Sequence, residues 1–210
     1  MPASRLPAGI DVSRETLDRL AVLEAELRRW QAVKNLVGPS TLGDIWERHI
    51  ADSLQLLALA PDALRWADLG SGAGFPGLVI AIAGMERPGT SVQLVESNSR
   101  KCAFLRHVAR LTGAPVVVHE RRLEAAVPEL AGTLDVVTAR ALASLDQLLA
   151  WTHPLLTTGV TALFPKGRDA AAELTEARKS WKFKETLIPS RTDPSASIVR
   201  IGGPIEPQTP

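Results

Sequence analysis

Asp68, Glu96 and three glycines, Gly70, Gly72 and Gly74, are the residues of this chain whose types and spacing could do chemistry. Asp68 ends one apolar run and opens the segment Asp68-Leu-Gly-Ser-Gly-Ala-Gly-Phe-Pro-Gly77; Glu96 ends a second run, Val92-Gln-Leu-Val-Glu96. Glycines let the chain turn sharply and let a ligand lie against bare backbone, where a Cβ would block its approach. A carboxylate at the tip of the next strand can accept hydrogen bonds from both hydroxyls of a ribose. Together they read as a nucleoside pocket, whereas a glycine triplet alone would read equally well as a structural turn between strand and helix.

Gly72-Ala-Gly74-Phe-Pro-Gly77 also spells the G-x-G-x-x-G pattern of dinucleotide sites, with Glu96 about 20 residues further on. Charge separates the two ligands. A pyrophosphate seeks helix N–H groups free of nearby carboxylates, so Asp68 directly before the glycines suits it poorly. S-adenosylmethionine brings a sulfonium and an α-amino group and no phosphate, which favours a methyl donor over NAD at this acid.

The elements that must position these residues are legible from periodicity. Leu17, Leu20, Leu23, Leu27, Trp30 and Val33 recur at helical steps, with Ser13 as N-cap and Gly38-Pro39 beyond the end. A second helix is expected from Asp44 to Leu59, placing Ile45, His49, Asp52 and Leu56 on neighbouring turns before Pro61. Strands are expected at Arg65–Leu69, Ser91–Glu96, Val116–His119, Leu134–Thr138 and Val160–Phe164, each followed by helical sequence, which implies a doubly wound parallel sheet. After a helix over Asp169–Lys179, Trp181–Leu187 and Ser197–Ile201 read as two last strands joined by Pro189–Ser195. We expect an N-terminal helical cap over 1–62, a catalytic domain over 63–203 and a frayed tail over 204–210.

Composition narrows the class. The 210 residues are 45% hydrophobic, enough for one domain with a real core, and the formal charge of +1 excludes a globally basic nucleic-acid binder. Any polyanion must meet a local patch. Arg100, Lys101, Arg106, Arg110, Arg121 and Arg122 face only Glu120 between Ser99 and Arg122, an excess of five positive charges that would otherwise be a solvated face. The single cysteine, Cys102, excludes an intrachain disulfide and reads as a small core hydrophobe. His49, His107, His119 and His153 lie in separate segments without metal-ligand spacing, so no metal is expected. With no signal-peptide core at the N-terminus and an apolar run over Leu78–Met85 too short for a bilayer, a cytoplasmic protein with no membrane partner is expected.

Five segments in fixed order complete the reading: Arg48-His-Ile-Ala-Asp-Ser53, Asp68 to Gly77, Ser99-Arg-Lys-Cys-Ala-Phe-Leu105, Ala139-Arg-Ala-Leu-Ala-Ser144 and Phe164-Pro-Lys-Gly167. As an ordered set, from about Thr16 to Ile201, they resemble the RsmG (GidB) family of bacterial methyltransferases. The resemblance implies a class I S-adenosylmethionine-dependent methyltransferase fold of the Rossmann-like type, with seven mostly parallel strands. It also implies methylation of N7 of a guanine in 16S rRNA, guanine 527 in the 530 loop of the small ribosomal subunit.

Carried over by motif, the cofactor contacts fall on Gly70, Phe75, Leu123, Glu124 and Arg140, beside Asp68, Gly72, Gly74 and Glu96 from the loop and strand tips. Leu123 by itself reads as a core residue, and Glu124 as a favourable acid in a first helical turn. Arg140 holds the cofactor edge or, by its bidentate fork, meets guanine O6 or a phosphate. Arg48, His49 and Asp52 either position the target base or lock the cap to the sheet. Lys166, with Arg100, Lys101, Arg121 and Arg122, is a candidate for RNA contact. Guanine N7 carries its own lone pair, so no general base is required. Thr138-Ala-Arg140-Ala stands where amine-methylating enzymes often carry an Asn/Asp-Pro-Pro-aromatic tetrad, and Cys102 is expected on a helix away from the reaction centre. An exocyclic amine and a cysteine-dependent C5 mechanism are therefore disfavoured. A dehydrogenase and a non-catalytic RNA-binding module remain the alternatives; oligomeric state is open, with a monomer favoured.

Overall fold

The computed structural model describes residues 6–7, 9–31 and 43–208. Its centre is a seven-stranded sheet built from β1 (Arg65–Leu69), β2 (Ser91–Glu96), β3 (Val116–Glu120), β4 (Val136–Thr138), β5 (Thr161–Lys166), β7 (Glu185–Pro189) and β8 (Ser197–Ile201). The order is β3-β2-β1-β4-β5-β8-β7, and only β8 runs against the rest, antiparallel to both β5 and β7. Helices α3 (Gly77–Gly84), α4 (Ser99–Thr112), α5 (Leu123–Ala126), α6 (Leu145–Leu156) and α7 (Ala170–Ser180) make the crossovers.

Alternation along each strand explains the two cores. In β1, Trp66 packs with Leu78, Ile80 and Phe104 on one face, while Ala67 and Leu69 pack with Leu145, Leu148 and Phe164 on the other. Period-two alternation sends Asp68 to the Trp66 face, the side roofed by α3. The cap joins this same face. Leu20, Leu23 and Leu27 of α1 (Arg14–Gln31) are fully buried, each contributing about 1.5–3 kcal/mol of burial. Ser13 Oγ accepts from Thr16 N at 3.1 Å, which is the expected N-cap, and His107 Nε2 meets Glu26 at 2.8 Å across the cap interface. Val33 and Gly38-Pro39 lie outside the described residues.

Three expectations need correcting. The helix expected over Asp44–Leu59 is a π-helical segment, Ile45–Ala51, running into α2 (Asp52–Leu59), so Arg48-His-Ile-Ala51 sit on a wider turn than α spacing gives while Asp52 and Ser53 open α2. The run Trp181–Leu187 is two strands: β6 (Trp181–Lys182) leaves the main sheet, and only Glu185–Pro189 pairs with β8. Its partner is β9 (Glu206–Pro207), in the segment read as a frayed tail. Ile205 is 1% exposed and Gln208 N donates to Ser180 O at 2.7 Å, so burial of one isoleucine docks residues that their prolines and glycines alone would leave loose.

Candidate active site

The glycine loop joins β1 to α3 with Gly70, Gly72 and Gly74 at φ of 67°, 55° and 91°. Only glycine holds such angles without strain. Gly77 is required for a different reason: a Cβ there would lie 2.6 Å from Asp68 Oδ2 and 2.3 Å from Leu94 Cδ2. That close approach lets Gly77 N donate to Asp68 Oδ2 at 3.0 Å. Asp68, expected at the cofactor, is fully buried under α3, and its Oδ1 has no partner among the described residues.

Glu96, at the tip of β2, is nearly buried and already engaged: Oε2 accepts from Gly72 N at 3.0 Å and Oε1 from Asn98 N at 2.8 Å. One carboxylate thus fixes the loop and starts α4, whose N-cap Asn98 accepts from Arg100 N and Lys101 N. A cavity of about 280 Å³ opens beside it, lined by Gly70, Glu96, Leu123, Glu124 and, unexpectedly, Leu142 and Trp151. Trp151 lies on α6, where it is one more residue of an amphipathic helix, and nothing in its spacing marked it.

Lys101, Arg121 and Arg122 line this same cavity, while Arg100 does not. The basic run is partly spent in pairs: Arg106 meets Glu120 at 2.7 Å and Arg121 meets Glu129 at 2.6 Å, both at exposed positions worth little in stability. Cys102 is buried, its Sγ donating to Glu96 O at 3.2 Å, and burial pushes the thiol pKa up. Among the described residues no cluster of three or more His, Cys, Asp or Glu could hold a metal.

A second, larger cavity of about 680 Å³ adjoins the first, with Ala141, at φ 52°, lining both. Arg140, which the resemblance assigns to the cofactor, lines this larger cavity and not the smaller one. Its Nη1 donates to Asp52 Oδ2 and Arg48 O, both at 3.0 Å, and its Nη2 to His49 Nδ1 at 2.8 Å. The guanidinium also lies 5.5 Å over the Phe75 ring, which stacks on His49 at 4.9 Å. The structure therefore gathers Arg48, His49, Asp52, Phe75 and Arg140 into one cluster. Because a guanidinium only donates, His49 Nδ1 must accept, which leaves the proton of the neutral ring on Nε2.

Lys166 is the clearest departure among the site residues. Expected near RNA phosphate, it is 9% exposed and donates to Glu173 Oε2 at 2.7 Å and Ala143 O at 2.8 Å. It lines the larger cavity, paired there with Glu173.

Burial raises the Asp68 pKa to about 7 against the opposing Gly77 N–H bond, while burial, then Arg140 and Arg48, lower that of His49 to about 4. The folded state thus binds more protons at Asp68 between about 4 and 7, so its contribution to stability falls as pH rises through that window. His49 does the reverse: the unfolded chain binds more protons between about 4 and 6.5, and stability rises there. The two slopes oppose, each limited to about 1.4 kcal/mol per pH unit. Replacing Asp68 by Asn removes one of them. Urea unfolding of Asp68→Asn is expected to show stability climbing against wild type by up to that slope between about pH 5 and 6.5. Parallel curves would mean that Asp68 is ionised throughout.

The residues present fit S-adenosylmethionine: a buried carboxylate with a free oxygen, a loop whose Gly72 Cβ direction meets nothing nearer than Gly70 O at 3.7 Å, and Glu96 at the cavity wall. Fold and site together define a class I S-adenosylmethionine-dependent methyltransferase. The O-methyltransferase TomG from Streptomyces achromogenes, solved with S-adenosylmethionine, has the same fold at a TM-score of 0.58 and 12% identity, over 93% of this chain and 92% of that one. The family described as rRNA small subunit methyltransferase G matches residues 16–197. Proteins named ribosomal RNA small subunit methyltransferase G are 66% identical over 190 residues in Methylorubrum extorquens (90% of each chain) and 63% identical over 198 residues in Methylorubrum populi (94% of this chain, 93% of that one). The chain belongs to this family and is an S-adenosylmethionine-dependent methyltransferase of small-subunit rRNA.

Proposed function

We propose that the enzyme methylates N7 of a single guanine, guanine 527 of 16S rRNA, with the smaller cavity holding the donor and the larger one the target base. The observation that carries this reading is the meeting of the two cavities at Ala141, with the donor-type residues in one and the Arg140 fork in the other. Asp68, Gly70, Gly72, Gly74 and Glu96 hold the cofactor, with Leu123 and Glu124 beside its adenine. When bound, S-adenosylmethionine supplies an electrophilic methyl carbon, and its loss leaves a neutral thioether.

The protein's own task is alignment. Guanine N7 needs no proton removed, and a neutral His49 whose Nδ1 is taken by Arg140 is not asked to act as a base. Arg140 offers N–H groups toward guanine O6, the acceptor beside N7, and leaves the N7 lone pair to the methyl carbon. Asp44, Glu47, Arg48 and Asp52 of the N-terminal cap supply one wall of the base cavity, and the sheet domain supplies the donor site. Among the described residues no helix is long and apolar enough to cross a membrane, and a cytoplasmic enzyme acting on ribosomal RNA is the reading we adopt.

Mapping N7-methylguanine in 16S rRNA from cells with and without the gene tests the position, and a modified guanine that persists in the deletion would refute it. Lys101 and Arg122 flank the donor cavity, so RNA backbone is expected to pass there. Replacing both by Glu should weaken RNA binding several-fold at low salt and flatten its dependence on ionic strength. Superimposable salt titrations would return these residues to a solvated surface.

A further inference from the structure

A chain of side-chain hydrogen bonds runs from the β7–β8 turn to Arg140. Asp52 Oδ2 is bonded to Arg140, and its other oxygen, Oδ1, accepts from Gln55 Nε2 at 2.8 Å and from Thr192 Oγ1 at 3.0 Å. Gln55 is itself buried and spent on the same turn: its Oε1 accepts from Arg191 N at 2.9 Å, and its Nε2 reaches Ser190 Oγ at 3.2 Å. Ser190 Oγ lies 3.0 Å from Thr192 Oγ1, closing the ring. Ser190 and Thr192 line the larger cavity beside Asp52 and Arg140.

We propose that Thr192 and Gln55 are positioning residues for methyl transfer: they fix the Asp52 carboxylate against Arg140 and thereby set both the direction and the net charge of the guanidinium fork at the target base. The argument is electrostatic as well as geometric. During transfer positive charge moves from the sulfonium to the purine ring, and a bare guanidinium beside that ring would oppose the movement. A carboxylate held 3.0 Å from it makes the pair formally neutral while leaving N–H groups free to donate. At 17% and 16% exposure the two side chains are shielded from water, so the compensation is not screened away. Asp52 alone could rotate; two donors on Oδ1 leave it one orientation.

This inference rests on the reading that the larger cavity takes the guanine. Its test is single-turnover methylation of small-subunit RNA with cofactor titration by calorimetry, in the full chain. Thr192→Val, which keeps the shape and removes the hydroxyl, is expected to lower the rate at saturating RNA and cofactor about tenfold, with cofactor affinity and melting temperature near wild type. Thr192→Ser should restore the rate, and Gln55→Leu should reproduce the loss. Paired with Arg140→Lys, the Thr192→Val effect should largely vanish, since both act through one fork. Full turnover in Thr192→Val and Gln55→Leu, or additive losses in the double variant, would overturn the proposal. Full turnover in Arg140→Lys together with Arg140→Ala would instead overturn the assignment of the cavity itself.

Discussion

A Gly72→Val enzyme is expected to fold and to lose measurable binding of S-adenosylmethionine. Two physical effects act together. At φ 55° a branched residue is strained by about 1–3 kcal/mol, which the surrounding sheet can absorb, because a Cβ there meets no protein atom nearer than 3.7 Å. The remaining methyls must then project into the space beside the loop, where the cofactor would lie against backbone. Gly72 N also donates to Glu96, so displacing the loop disturbs that carboxylate as well. Calorimetry on a variant shown to be folded by its melting curve checks this, and undiminished affinity would remove the loop from the cofactor site.

The second large effect separates donor binding from transfer. Glu96→Gln replaces one acceptor by an amide N–H that would face the N–H of Gly72 or Asn98, besides weakening bonds to ribose hydroxyls. Cofactor affinity is expected to fall by about 1–3 kcal/mol, or roughly tenfold to a hundredfold, with turnover largely recovered at saturation. Asp52→Ala should do the opposite. It leaves Arg140 uncompensated in a half-closed cavity while the donor site is untouched, so affinity stays near wild type and the saturated rate falls at least tenfold. An Asp52→Ala enzyme with full turnover would make that residue a cap contact only; a Glu96→Gln enzyme with unchanged affinity would end the ribose assignment.

Local signals carried the frame of this protein a long way. The bounds of β1 and β2 are those that the apolar runs imply, and the Ser13 cap forms as its side chain predicts, because each depends on neighbours a few residues away. What could not be read were the consequences of packing. Lys166 follows a Phe-Pro pair in what reads as a loop, yet Glu173, seven residues on, buries its charge. The depth of Asp68 beneath α3 follows from strand parity and the close approach of Gly77, not from its neighbours in sequence. Thr192 and Gln55 stand 140 and 136 residues from partners fixed by the return of the terminal hairpin, and nothing in the local sequence of either announces that bond. Arg48, His49 and Asp52 were seen as a group but could not be assigned, since their meeting point, Arg140, arrives from the far side of β4.

That hairpin return also divides the molecule by resilience. The glycine loop and the Glu96 tip are tied by backbone bonds between β1 and β2, neighbours at the heart of the sheet, whereas one wall of the larger cavity is the turn over 190–196, anchored to α2 chiefly by side chains at the sheet's edge. Openings of least cost start at such edges. Mild heat or denaturant would therefore blunt the enzyme's grip on RNA while it still held its methyl donor, and amide exchange at Arg191 and Thr192 would outpace that at Gly70 and Gly72.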